Sequence, residues 1–261
     1  MNTTIGIFDS GIGGTSIWKE VVKLLPNENT IYLADSKNAP YGEKPLEEII
    51  SLSIKNTELL ISKGCKLIIV ACNTATTNAI DSLRKTYNIP FIGIEPAIKP
   101  AALYSKTGAI GILATKGTLS SQLFEKTANE YTKNISTIEQ DGEGLVALIE
   151  AGKLNSIELT NLLTTYLKPM LNFNIDHLVL GCTHYPYLIP QIKEILGEQI
   201  KIIDSGEAVA KQTKAILEKS NLLSTKTTDS QHQFYTNTRT DVLTNMLSDV
   251  SVNFSVEELN F

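Results

Sequence analysis

Two cysteines stand out because each closes an apolar run and opens a polar one. Cys72 lies in Ala71-Cys72-Asn73-Thr74 directly after Leu67-Ile68-Ile69-Val70, and Cys182 lies in Gly181-Cys182-Thr183-His184 after Leu178-Val179-Leu180. A thiolate is a good base and nucleophile, but an unperturbed cysteine ionises only near pH 8.5. Chemistry at neutral pH therefore needs a group that exchanges protons with the sulfur, or a helix N-terminus that stabilises its charge. Both settings read as strand-to-helix turns, which would aim an N-terminus at the sulfur and lower its pKa. Asp9, closing Thr4-Ile5-Gly6-Ile7-Phe8, and His184 bring a carboxylate and an imidazole for proton exchange. The bland alternatives are an N-cap for Asp9 and a structural hydrogen bond for His184 beside Tyr185. Ser10, Asn73, Thr74 and Thr183 add neutral hydrogen-bonding groups, as do Thr115 and Thr118 further on, in a chain with only two arginines, Arg84 and Arg239. Cys65 precedes its strand and reads as packing.

Those side chains require strands that end together. Apolar runs at Thr4 to Phe8, Thr30 to Ala34, Leu67 to Val70 and Phe91 to Ile94 predict strands. Amphipathic helices are expected after Gly14, from Leu46 to the stop at Gly64, and from about Ala75 to Tyr87. The pattern restarts with strands at Ala109 to Leu113, Ile135 to Ile138, up to Cys182, and at Lys201 to Ile203. Helices between them are expected at about 119–131, 144–151 and 156–170, and another after Pro186 and Pro190. A helix near 206–219 and strands at Gln233 to Thr236 and Val252 to Val256 form a tail. Apolar strands alternating with amphipathic helices predict parallel sheets covered on both faces.

The halves look like a diverged repeat: Gly6 aligns with Gly111 (111 − 6 = 105) and Cys72 with Cys182 (182 − 72 = 110). The expectation is two doubly wound parallel-sheet α/β domains related by pseudo-symmetry. One would span 1–97 plus 208–261 and the other 98–207, with the active site in the cleft between them; one continuous sheet is the competing topology. In open parallel sheets ligands bind beyond the carboxyl ends of the strands, where Asp9, Cys72, Thr115 and Cys182 all fall.

Composition narrows the classes. The 261 residues, 42% hydrophobic and 20% charged, suit a globular protein. A net charge of −5 argues against a nucleic-acid partner. No apolar run approaches the roughly 18 residues of a membrane span. The start, Met1-Asn2-Thr3-Thr4, shows no leader pattern, so a cytoplasmic location is expected. Three cysteines without CxxC or His/Cys spacing fit a reducing compartment and predict no metal site. The loop Gly11-Ile12-Gly13-Gly14 is GxGG rather than GxGxxG, and only Asp35 could serve as the acidic partner of a dinucleotide. Free backbone N–H groups there, ready for a carboxylate or a phosphate, are the better expectation.

Together, IGIFDSGIGG, APYGEK, ACNTA and GCTHYP resemble in order and spacing the motifs of glutamate racemases, within the aspartate/glutamate racemase superfamily, over nearly the whole chain. The resemblance implies a cofactor-independent racemase with Cys72 and Cys182 as the two acid/base catalysts, Cys72 acting on D-glutamate and Cys182 on L-glutamate. Asp9 and His184 would assist them. Substrate contacts would come from Asp9, Ser10, Tyr41, Gly42, Asn73, Thr74, Thr183 and His184. Pro40, Thr115, Thr118 and Glu150 are further candidates. It also implies a homodimer and the supply of D-glutamate for peptidoglycan. No lysine in the motifs sits where a pyridoxal Schiff base would be expected. Ala34-Asp35-Ser36 replaces the usual Gly-Asp-Thr, Thr76 a common Ser and Tyr187 a common Leu, departures that bear on fine specificity. Three rivals remain: an aspartate racemase, a thiol hydrolase using one cysteine with His184, and a two-domain amino-acid binding protein.

Overall fold

A computed structural model describes residues 4–225 and 229–261; Met1-Asn2-Thr3, which carry the expectation of no leader, lie outside the described residues. The first half runs β1 (Thr4–Asp9), α1 (Thr15–Leu24), β2 (Asn29–Ala34), α2 (Leu46–Ser62), β3 (Cys65–Val70), α3 (Asn73–Thr86) and β4 (Phe91–Gly93). The second runs α4 (Ile98–Tyr104), β5 (Ala109–Ala114), α5 (Lys116–Leu119), α6 (Gln122–Tyr131), β6 (Ser136–Asp141), α7 (Leu145–Glu150), α8 (Ile157–Leu167), β7 (His177–Gly181), α9 (Ile189–Leu196) and β8 (Lys201–Ile203). The tail adds α10 (Gly206–Lys219), β9 (His232–Thr236), α11 (Asp241–Met246) and β10 (Phe254–Glu258).

These strands form two sheets, not one: β10-β9-β2-β1-β3-β4 and β6-β5-β7-β8. Every pairing in both is parallel. The shared order β2-β1-β3-β4 and β6-β5-β7-β8 is the repeat seen in the sequence. Its register agrees: Gly6 pairs with Ile68 and Gly111 with Leu178, so the third strands are related by 178 − 68 = 110, the spacing of the two cysteines. The tail's β9 and β10 extend the first sheet beyond β2.

The central strands form because their residues are almost all apolar, the charge of Lys66 in β3 being paired with Glu28. All six residues of β3 and of β5 are buried. Each buried Ile, Leu or Val contributes roughly 1.5–3 kcal/mol against exposure. On β1, α1 buries Ile17, Trp18, Val21 and Val22 and packs against α10. Trp18 meets Phe234 of β9 edge-on at 4.7 Å, which locks the tail to the first sheet. Several predicted boundaries move. The helix expected at 119–131 is α5 and α6, split at Ser121, whose hydroxyl caps the second by accepting from Phe124 N–H. The 156–170 helix ends at Leu167 and tightens into 3₁₀ turns over Lys168–Phe173. The short helices α4 and α11 have no counterpart in the sequence reading.

Candidate active site

β1 and β3 end level with one another, since Phe8 pairs with Val70 and Ala71 N–H donates to the Phe8 carbonyl at 2.7 Å. Asp9 and Cys72 therefore leave the same edge of the first sheet. In the second sheet Ala114 pairs with Gly181, which places Thr115 beside Cys182. The two edges face each other across a nearly closed cavity of about 10 Å³, lined by Ser10, Pro40, Tyr41, Gly42, Cys72 and Asn73 from one side. Thr74 completes that wall, and Thr115, Val146, Cys182, Thr183 and His184 line the other.

Each sulfur begins a chain that ends on a carboxylate. Cys72 Sγ lies 3.7 Å from Ser10 Oγ, which is 3.4 Å from Asp9 Oδ1. Cys182 Sγ lies 3.7 Å from His184 Nδ1, and His184 Nε2 is 2.5 Å from Glu150 Oε1. Asp9 also accepts from Gly14 N–H at 2.6 Å and from the Thr183 hydroxyl at 3.4 Å. Glu150 accepts from Ile12 N–H at 2.7 Å and from the Ser36 hydroxyl at 2.8 Å.

The glycine loop thus has a different use from the one expected. Its N–H groups at Ile12 and Gly14 are taken by Glu150 and Asp9. Its missing side chains make room for the relay: a Cβ on Gly11 would collide with the Glu150 carboxylate, and one on Gly13 with the His184 ring. Tyr32 fixes the loop through a hydrogen bond to the Gly11 carbonyl. The dinucleotide reading fails as well, because the Asp35 carboxylate is enclosed by Tyr41, Asn38, Asn237 and Lys55.

Burial and a few close partners set the electrostatics of the site. Cys72 accepts a hydrogen bond from Ala75 N–H at the start of α3, as the sequence implied. Its pKa is nevertheless pushed up, not down, because complete burial outweighs that donor and the Asp9 charge adds to the effect. Burial raises Asp9 from 3.8 to about 6, against the opposing pull of His184 and the Gly14 N–H. For His184 burial works against the charge, but hydrogen bonds to Cys182 and Glu150 hold the imidazole well above its usual range.

The polar lining divides into committed and available groups. The Thr74, Thr115 and Thr118 hydroxyls form a triangle across the two sheets, with sides of 2.9, 3.3 and 3.1 Å. Thr118 is fully buried and reaches the cavity only through the other two. The Tyr41 hydroxyl is turned away to Asp35 and Asn56, so Tyr41 faces the cavity with its ring and backbone. The buried Asn73 side-chain nitrogen has no hydrogen-bond partner among the described residues. An orphaned donor on a cavity wall marks a place for an acceptor, because leaving it unpaired costs about 1–3 kcal/mol. Neither arginine lines the cavity. Groups of three or more His, Cys, Asp or Glu arranged to hold a metal ion are absent among the described residues.

Sequence reasoning missed Val146 and Ser36. Val146 carries no polar signal within the apolar run of α7. Ser36 reaches Glu150 over 114 positions, a pairing no local pattern encodes. Asn78 was missed too: its amide bridges α3 to α5 of the other half, donating to the Thr74 carbonyl at 2.8 Å and to the Gly117 carbonyl at 3.0 Å.

Two parallel-sheet domains that face each other across one cavity, each presenting a thiol from the end of its third strand, define a two-domain α/β enzyme. The chain belongs to the Asp/Glu/Hydantoin racemase family, whose pattern matches residues 5–213. It is 43% identical over 232 residues to a glutamate racemase of Herpetosiphon aurantiacus, covering 89% of this chain and 91% of that one. Among solved structures it is similar to Escherichia coli glutamate racemase in complex with L-glutamate and the activator UDP-MurNAc-Ala, with a TM-score of 0.86, 30% identity, and 99% and 98% of the two chains covered. It is also similar to glutamate racemase of Francisella tularensis in complex with D-glutamate, with a TM-score of 0.84, 30% identity, and 99% and 97% covered.

Proposed function

We propose that the chain interconverts L- and D-glutamate without a cofactor, with Cys72 and Cys182 as opposed acid/base groups. The observation that carries this reading is the delivery of both sulfurs, from separate domains, to one cavity. Taken from L-glutamate, the α-proton passes to the Cys182 sulfur and leaves a carbanion. Cys72, whose raised pKa keeps it a neutral thiol, then donates its proton to the opposite face and becomes a thiolate. The reverse direction uses the same groups in exchanged roles. Asp9 through Ser10, and Glu150 through His184, move protons to and from the sulfurs. The Asn73 amide and the Thr74 and Thr115 hydroxyls are placed to hydrogen-bond substrate carboxylates, in a site where exclusion of water strengthens each dipole.

Glutamate, rather than aspartate, is supported by the relatives named above and by the APYGEK and GCTHYP motifs. By the same resemblance the enzyme is a cytoplasmic homodimer that supplies D-glutamate for peptidoglycan. The test is racemisation in deuterated water with each cysteine changed singly to serine. The wild type should incorporate deuterium at the α-carbon as it inverts it, and Cys72→Ser and Cys182→Ser should each lose most inversion. Near-normal rates in both variants would overturn the two-thiol reading. Equal or faster turnover of aspartate would overturn the substrate assignment.

A further inference from the structure

Glu150 bonds to His184 but does not line the catalytic cavity. Its side chain keeps 13% of its surface accessible, whereas that of His184 keeps 1%. The accessible part opens into a separate depression of about 360 Å³ that shares no lining residue with the catalytic cavity. Its rim is formed by Ser36 from the end of β2 and by Thr238, Arg239, Asp241 and Val242 from the tail. Arg239 is 85% accessible and paired with Asp241 at 2.7 Å, so the rim is wet and charged. Polar atoms thus run unbroken from the Cys182 sulfur to a second surface: 3.7 Å to His184, 2.5 Å on to Glu150, then the depression.

We infer that this depression is a rear proton port, through which Cys182 exchanges its proton with solvent while the substrate cleft stays closed. The inference rests on Cys182 being one of the acid/base groups. With the ring neutral and protonated on Nε2, the Cys182 S–H bond breaks as its proton passes to His184 Nδ1; the imidazolium formed between thiolate and carboxylate then passes its Nε2 proton to Glu150 Oε1. Glu150 then releases a proton to water in the depression. The net change is one thiol to one thiolate with one proton delivered to solvent, and loading runs in reverse. Asp9, at the end of the corresponding chain from Cys72, is completely buried and has no such outlet among the described residues. Only the Cys182 side therefore communicates with bulk water behind the substrate. The tail, which the four-stranded repeat does not need, supplies half of the residues lining the port.

Glu150→Gln separates relay from scaffolding. The amide keeps an acceptor for Ile12 N–H and for His184 Nε2–H, but it cannot carry the proton onward. The expected result is a fall in kcat on the order of a hundredfold with little change in KM. In Glu150→Ala, formate reaching the vacated carboxylate position from the port should restore kcat in a saturable manner, and chloride at equal ionic strength should not. Near-wild-type kcat in Glu150→Gln would overturn the port. So would a Glu150→Ala variant indifferent to formate, or one that gains as much from chloride. Wild-type turnover measured alongside keeps the two readings apart. Its absence would overturn the proposed function, whereas full wild-type turnover with an active Glu150→Gln overturns the port alone.

Discussion

Asp9→Asn gives the cleanest measure of what the site costs the fold. Asp9 is completely buried, and its pKa rises from 3.8 in the open chain to about 6 in the folded one. The folded state therefore holds the Asp9 proton more tightly than the unfolded state. The associated stability is complete below pH 3.8 and is lost as the pH climbs through 6. At 1.36 kcal/mol per unit, the full loss is about 3 kcal/mol, of which about 1.3 kcal/mol falls between pH 5 and pH 7. Asparagine does not titrate, and its side-chain oxygen can still accept the Gly14 N–H. Stability of Asp9→Asn minus that of wild type should thus rise by about 1.3 kcal/mol from pH 5 to pH 7 and flatten above it. The single tryptophan, Trp18, reports on the right domain, because it lies on the helix that follows the Asp9 loop. Urea unfolding followed by Trp18 fluorescence at pH 5, 6, 7 and 8, on both proteins, measures the difference. Racemisation should fall in the variant even where it is the more stable protein. A stability difference independent of pH, or one that shrinks as pH rises, would refute the dominance of burial at Asp9.

Other substitutions test the close approaches around the cavity. A Cβ at Gly117 would lie 2.9 Å from the Gly42 carbonyl oxygen and 3.0 Å from the Gly42 Cα, so Gly117→Ala should push α5 away from the 3₁₀ turn Tyr41–Glu43, whose Gly42 lines the cavity. Its kcat/KM should drop roughly tenfold or more, with unfolding little changed. Gly13→Ala would push the His184 ring off Cys182; steady-state assays should show about a hundredfold loss, with circular dichroism preserved. At the opposite end of the first sheet, Lys66 donates to Glu28 at 2.6 Å and to the Leu222 carbonyl, with 4% and 2% of the two paired side chains accessible. Lys66→Met strands the Glu28 charge and should cost about 3–5 kcal/mol in denaturant titrations, while kcat at low temperature stays near wild type.

Much of this architecture could be read from the sequence because its central strands β1, β3, β5 and β7 are largely apolar and its repeat keeps its spacing. The offset of 110 between Cys72 and Cys182 recurs as the offset between Ile68 and Leu178 in the sheet register. What could not be read depends on residues far apart in the chain. Nothing near Gly11 or Gly13 announces that they accommodate Glu150 and His184, over 130 positions away. The Tyr41 ring was legible as a cavity neighbour, but its hydroxyl's partner, Asp35, could as easily have been a ligand-binding acid. The helices α4 and α11, seven and six residues long, are too short to show a 3.6-residue period.

The reversed shift at Cys72 shows how local and tertiary effects compete. The sequence correctly places its sulfur at a helix N-terminus, and the Ala75 N–H does point at it. A helix terminus contributes about 0.3–1 kcal/mol, up to about 2 in partly buried settings, which is at most one to two pKa units. Full burial can move a group by up to about 3–5 units the other way. With the Asp9 charge added to burial, the N-terminus loses, and the thiol stays protonated at rest. This follows from three-dimensional enclosure, which no motif encodes. It also gives Asp9 a place in the proposed two-thiol reading. On that reading Cys72 must lose its proton to a neighbouring group before it can act as a base. Ser10 links the sulfur to the Asp9 carboxyl, which is ionised above about pH 6 and is the proton acceptor the geometry offers.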